Sequence, residues 1–140
     1  MSINVAWDND EKTVIIYTFV GQWEWIDYWT AIKDAAELLN TVTYKVDIIM
    51  DMRNARTMPE GSLSKAKQVL GYPRHPNIGM TAIVGANLFI ETVVSTSAKV
   101  YKALWGNYDM LSAASIEDAR KQLFVRREAQ QPPQKPAEQS

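Results

Sequence analysis

The sequence predicts an α/β domain with the element order ββαβαβαβα, and three observations carry that reading. Val46 to Arg53 (VDIIMDMR) holds apolar residues on consecutive positions, Ile48, Ile49 and Met50, as a strand covered on both faces does. A β-branched and aromatic run from Thr13 to Val20 precedes it and reads as a second strand. Around these runs apolar residues recur at helical spacing, so strands alternate with helices after an N-terminal hairpin. The VDIIMDMR strand is the centre of this arrangement. In open sheets of this kind, ligands and partners meet the protein beyond the carboxyl ends of the strands. The irregular segment expected after Arg53, Asn54 to Gly61, is therefore the first place to look for a working surface.

Taken in order, Val5 and Trp7 alternate with polar Asn4 and Asp8 in a short first strand. Asp8-Asn9-Asp10-Glu11-Lys12 is turn chemistry and closes a hairpin with the second strand, which Gly21 is expected to end. From Trp23 to about Asn40 the period becomes helical, with Trp25, Trp29, Ile32, Ala36 and Leu39 on one stripe facing the sheet. Tyr28 and Ile26 flank that stripe, and Lys33, Asp34 and Glu37 face water. Core packing is the plain role for these tryptophans, and one wall of an aromatic pocket is the sharper one.

Leu63, Ala66 and Leu70 mark a second helix ending at Gly71. The linker from Gly71 to Asn77 holds two prolines and is not helical. Met80 to Val84 is a strand, and a third helix begins at Asn87 with Ile90, Val94, Ser97, Tyr101 and Leu104 on one face. Tyr108 to Leu111 is a short last strand. Ser115-Ile116-Glu117-Asp118 is a capping signature for a final helix with Ala119 and Leu123 inward. The domain spans 1–127. Residues 128–140 are mostly Gln, Pro, Lys and Ala without periodicity and read as a disordered tail.

Charge and composition narrow the function classes. With 15 basic and 16 acidic residues, no net field steers the chain to nucleic acid or acidic lipid. Cysteine is absent and histidine occurs once, which argues against thiolate chemistry and a catalytic zinc of the usual type. No basic region precedes an apolar core at the N-terminus, and no apolar run approaches the roughly 20 residues of a membrane span. The expectation is a soluble, cytoplasmic domain of bacterial type, with no cofactor and no metal.

Each catalytic constellation lacks a member. Asp51 at the end of the third strand invites comparison with a phospho-accepting aspartate. The second strand, however, ends in Val20-Gly21 and the fifth in Ser112-Ala113, without the companion carboxylates or lysine of that site. Gly79, Gly85 and Gly106 are too scattered for a phosphate loop. Asp47, Asp51 and Glu60 show no spacing for paired-acid hydrolysis. Asp51 is read instead as a carboxylate that orders the backbone after it. His75 between two prolines is read as a solvent-facing linker residue, and Arg53, Arg56 and Arg74 as solvated cations. The chain is read as non-enzymatic.

Phe19-Val20-Gly21-Gln22-Trp23, the VDIIMDMR strand, Pro76-Asn77-Ile78-Gly79, Thr81-Ala82-Ile83-Val84-Gly85 and Ser115-Ile116-Glu117-Asp118-Ala119, in this order, resemble the SpoIIAA-like branch of the STAS superfamily over residues 3 to 125. That superfamily contains anti-sigma-factor antagonists and the cytoplasmic domains of sulfate transporters. The resemblance implies a mixed four- to five-stranded sheet with helices mostly on one face and a regulatory role in docking a partner protein. In the antagonists a Ser or Thr at the start of the helix after the central strand, within an Asp-Ser-Ser-Gly pattern, is phosphorylated by a partner kinase. Here Met52-Arg53-Asn54 follows Asp51, with Thr57, Ser62 and Ser64 near the helix start, so no residue carries over by motif. The expected docking surface is the loop and helix after the central strand, with Asp51, Arg53, Arg56, Thr57 and Ser62 as its loop residues. The branch also resembles the lipid-binding Sec14 fold, which implies an apolar ligand between the first and third helices, at Trp25, Trp29, Phe89, Ser97 and Tyr101. A homodimer is among the assemblies open to such a domain.

Overall fold

In the computed structural model, which describes residues 2–57, 61, 75–85, 99, 102–103 and 110–130, one mixed sheet has the strand order β1-β2-β3-β4-β5. Its strands are β1 (Ile3–Trp7), β2 (Val14–Gln22), β3 (Val46–Thr57), β4 (Ile78–Val84) and β5 (Met110–Ala113). β1 runs antiparallel to β2, and the β2–β3, β3–β4 and β4–β5 pairs are parallel. Two helices are described as whole elements, α1 (Trp25–Leu39) and α2 (Ile116–Gln130). Lys99, Lys102 and Ala103 are also helical, inside the segment where the sequence predicts its third helix. The helix expected over 63–70 lies outside the described residues.

The hairpin closes as its turn residues require. Asn9 Oδ1 accepts the N–H groups of Thr13 and Val14 at 3.0 and 3.3 Å, and Lys12 takes a positive φ of 59°. β3 is the central strand that its apolar run predicts, covered on both faces. Ile48 and Met52 pack on the α1 side with Ile15, Tyr17, Phe19 and Ile83. Ile49 packs on the α2 side with Val14, Ala82, Val84 and with Ile116, Ala119 and Leu123 of α2. The two described helices thus divide between the faces, one each, where the resemblance implies helices mostly on one face.

Three sequence expectations change. The stripe of α1 that meets the sheet is Ala31, Ala35 and Leu39, with Tyr28 and Leu38 beside it. Small residues there let the helix axis approach the strands. Trp29, Ile32 and Ala36 are half-buried on the adjoining flank, because volume, not hydrophobicity alone, selects the contact face. Second, Gly21 does not end β2. It sits inside the strand with φ 69°, between register shifts against β3. Third, α2 runs to Gln130, past the Glu128 boundary drawn for the tail. Its start is as the capping signature predicts: Asp118 N–H donates to Ser115 Oγ at 3.0 Å and Ala114 N–H to the Asp118 carboxylate at 3.2 Å.

His75 and Asn77 tie the amino end of the sheet to the end of α1. Asn77 donates to the carbonyls of Leu39 and Val42. His75 Nδ1 accepts the Asn77 N–H at 3.1 Å, which leaves Nε2 to donate to Asn40 Oδ1 at 2.7 Å. Both ring nitrogens are engaged, so His75 is a structural latch and not the solvent-facing linker residue that its prolines suggest.

Candidate functional site

β2 and β3 end together, at Gln22 and Thr57, with α1 starting beside them, while β4 stops earlier, its last residue Val84 level with Asp51. Arg53, Arg56 and Thr57 belong to this edge as strand residues. Within the irregular segment expected after Arg53, Asn54 to Thr57 instead continue β3, with Asn54, Ala55 and Thr57 paired with Val20, Gly21 and Gln22 of β2, and residues 58–60 lie outside the described residues. The pairing persists because β3 absorbs extra residues as bulges between Thr18/Val20 and Gly21/Gln22, and a bulge bends a strand without ending it. Of the five expected docking residues, Asp51 and Arg53 are brought into contact. The side chains of Arg56 and Thr57, and all of Ser62, lie outside the described residues, as does Arg74.

Asp51 and Arg53 form the most ordered polar feature of this edge. The first bulge takes the Arg53 N–H out of the ladder, and Asp51 Oδ1 accepts it at 3.2 Å. The Arg53 guanidinium then closes on both carboxylate oxygens, Nε to Oδ1 and Nη2 to Oδ2, each at 2.9 Å. Asp51 is buried, while the Arg53 side chain is 51% exposed. The guanidinium hydrogen bonds, opposed by burial, hold the Asp51 carboxyl below the ordinary carboxylate range. Glu117 on the first turn of α2 adds a second negative charge felt by Arg53. Arg53 is therefore a fixed, half-exposed cation neutralised by Asp51 rather than the freely solvated one expected.

Gly85 makes the pairing possible. It has φ 79°, and a Cβ there would lie 2.5 Å from Arg53 Cγ and 2.7 Å from its Cα. Only glycine lets β4 pass so close under Arg53 at that backbone conformation. Around this pair the surface carries Val20, 53% exposed, and exposed Asn54, its ladder partner.

A second buried carboxylate, Asp47, does the same work at the amino end. The β3–β4 register slips between Val46/Ile48, and the Met80 N–H left without a ladder partner donates to Asp47 Oδ1 at 2.9 Å. A Cβ on Gly79 would lie 2.6 Å from that oxygen. Arg127 of α2 stands 3.6 Å from the other oxygen. Burial raises the Asp47 pKa from the ordinary 3.8, against the lowering effects of Met80 and Arg127. A carboxyl raised by folding stabilises below its unfolded value and loses that contribution as pH rises through its folded value. Asp47→Asn should therefore gain on the parent as pH is raised from 3.8 toward neutrality. Melting midpoints of the two proteins against pH check this, and parallel curves would mean that Asp47 titrates as if unfolded.

On the α1 side the same carboxyl edge carries an aromatic cluster. Trp23 is 2% exposed and meets Phe19 at 5.1 Å, Trp25 at 5.2 Å and Tyr28 at 6.2 Å between ring centroids. Tyr28 in turn meets Trp29 at 6.1 Å. The Nε1 groups of Trp23 and Trp25 are both sealed from solvent and have no acceptor among the described residues. Of the expected pocket residues, Trp25 and Trp29 join this cluster, whereas Phe89, Ser97 and Tyr101 lie outside the described residues.

The chain matches no model of a known protein family and no curated protein. Among the described residues, no helix is long and apolar enough to cross a membrane. The sequence alone does not single out Val20, Trp23, Gly85 or the part played by Asp47. The one available signal was Val84-Gly85 at a strand end beside a buried aspartate in the neighbouring strand.

Proposed function

We propose that this chain is a regulatory protein-interaction module of the STAS, SpoIIAA-like type, non-enzymatic, docking a partner protein at the carboxyl edge of its sheet and through the segment that follows β3. One observation carries the reading. Arg53 is held rigidly by a buried carboxylate and a bare glycine, half exposed, beside an exposed valine. A pre-ordered cation next to an apolar side chain loses little entropy when a partner covers it. The test keeps the fold intact by changing exposed neighbours only. A partner isolated with the wild-type protein from its own host, identified by mass spectrometry and titrated by calorimetry, should bind Val20→Asp with Asn54→Asp roughly tenfold or more weakly. Equal affinities would sink the reading.

A second reading, a carrier or sensor of a small apolar ligand, is favoured by the two indole N–H groups without acceptors, which an ester or carboxyl oxygen would satisfy. Native mass spectrometry of the purified protein should then show an acyl-chain mass that Ala36→Leu displaces. A clean apo mass from freshly isolated protein would remove it.

A further inference from the structure

β1 is an edge strand of unusual composition. The sheet ends at β1, and its five residues, Ile3-Asn4-Val5-Ala6-Trp7, contain no charge and no proline. Charge and proline are two of the devices by which exposed edges refuse another strand. The direction of its backbone groups follows from the register. Val20 N–H donates to Ser2 O and Asp8 N–H to Val14 O, each at 2.8 Å, so Ser2 and Asp8 stand in hydrogen-bonded pairs with β2. In an antiparallel ladder such pairs alternate, and Asn4 and Ala6 share them with Thr18 and Ile16. Ile3, Val5 and Trp7 are the intervening pairs, and their N–H and C=O groups point away from β2. Among the described residues, no strand accepts them.

The helix above this edge decides what fits there. α1 lies over β1 with Ala31 and Ala35 against the sheet. Around the helix, Asp27, Thr30, Asp34 and Glu37 precede that stripe, while Ile32, Trp25, Ala36 and Trp29 follow it. In a right-handed crossover from β2 to β3 the following flank looks toward β3, and the preceding flank looks out past β1. The half-buried state of Ile32, Ala36 and Trp29, against exposed Asp34 and Glu37, agrees with this orientation. The open edge thus lies beneath an acidic helix flank, and the turn at its end carries exposed Asp10 and Glu11 beside one exposed cation, Lys12.

From this we infer that β1 receives an extended segment of a partner protein that adds as a strand, with lysine or arginine at the alternate positions facing α1. Main-chain hydrogen bonds to Ile3, Val5 and Trp7 supply the register, and Asp34 and Glu37 select the basic side chains. A second copy of this chain fits poorly, because two-fold pairing of β1 with itself brings two acidic α1 flanks together. This surface is separate from the carboxyl edge and does not depend on the docking reading given above.

The experiment titrates the full protein with a capped heptapeptide alternating lysine and valine, and with the same peptide carrying glutamate for lysine. The lysine peptide should bind, bind less tightly as salt is added, and slow hydrogen exchange at the Val5 and Trp7 amides; the glutamate peptide should do none of these. Val5→Pro removes one outward N–H while Asn4 and Ala6 keep the β1–β2 ladder. It should weaken the lysine peptide roughly tenfold or more with the melting midpoint retained. Should Val5→Pro fail to fold, the exposed pair Asp34→Lys with Glu37→Lys decides, since it should reverse the preference between the peptides. Equal binding of both peptides by the parent, or no slowing at Val5 and Trp7, overturns the inference. So does protection of those amides that grows with protein concentration alone, which would make the occupant a second copy.

Discussion

Replacing Trp23 with alanine is expected to cost about 3–5 kcal/mol of stability, the range for emptying a large aromatic from a packed core. Trp23 lies between the end of β2 and the start of α1, and its ring is in contact distance of Phe19, Trp25 and Tyr28. Removing it takes edge-to-face partners from two neighbours and leaves a cavity where the helix begins. Urea unfolding should show a lower midpoint with an unchanged slope. Trp23→Phe is the informative companion. It keeps an aromatic ring in the cluster and deletes the indole N–H that has no acceptor. Its cost should be well below that of alanine, since an unsatisfied donor contributes nothing when removed. Were Trp23→Ala as stable as the parent, the aromatic cluster would be peripheral to the fold.

The contrast between Trp23 and Trp29 shows what the sequence could and could not convey. The helical period of α1 was legible, and so was its extent to within two residues. Its orientation was not, because a wide apolar arc from Tyr28 to Ile32 and Ala36 offers two plausible faces. The structure seats the arc's small residues, Ala31 and Ala35, on the sheet and leaves Trp29 on the flank. The central strand was legible for the opposite reason: consecutive apolar positions leave a strand little choice but to be covered twice. Its continuation through Asn54, Ala55, Arg56 and Thr57 was hidden, since polar composition mimics a loop and bulges leave no mark in a single sequence. The role of Asp51 is legible as well: its carboxylate orders the backbone after it by accepting the Arg53 N–H. The role of Asp47 needed the register slip at Gly79 and Met80 to be seen.

Gly85→Ala is expected to be the costliest glycine substitution among the described residues, at about 2–5 kcal/mol. A left-handed backbone costs an alanine about 1–2 kcal/mol, and overpacking adds about 1–3 kcal/mol. Gly21 and Gly61 serve as internal controls. They too have positive φ, 69° and 72°, but a Cβ at either meets nothing within 4 Å. Alanine there should cost only the backbone share, so the excess at Gly85 isolates its contact with the Arg53 backbone. A pH series then tests whether that excess runs through the ion pair. In the parent, the lowered Asp51 pKa gives a contribution present above the ordinary 3.8 and lost as pH falls through the folded value. If alanine lifts Arg53 off Asp51, the variant lacks this contribution at every pH. The gap between parent and Gly85→Ala should therefore be widest near neutrality and narrow as pH falls below 3.8. A gap of constant width would mean that the cost is steric alone and that Arg53 keeps its hold on Asp51 without help from the glycine.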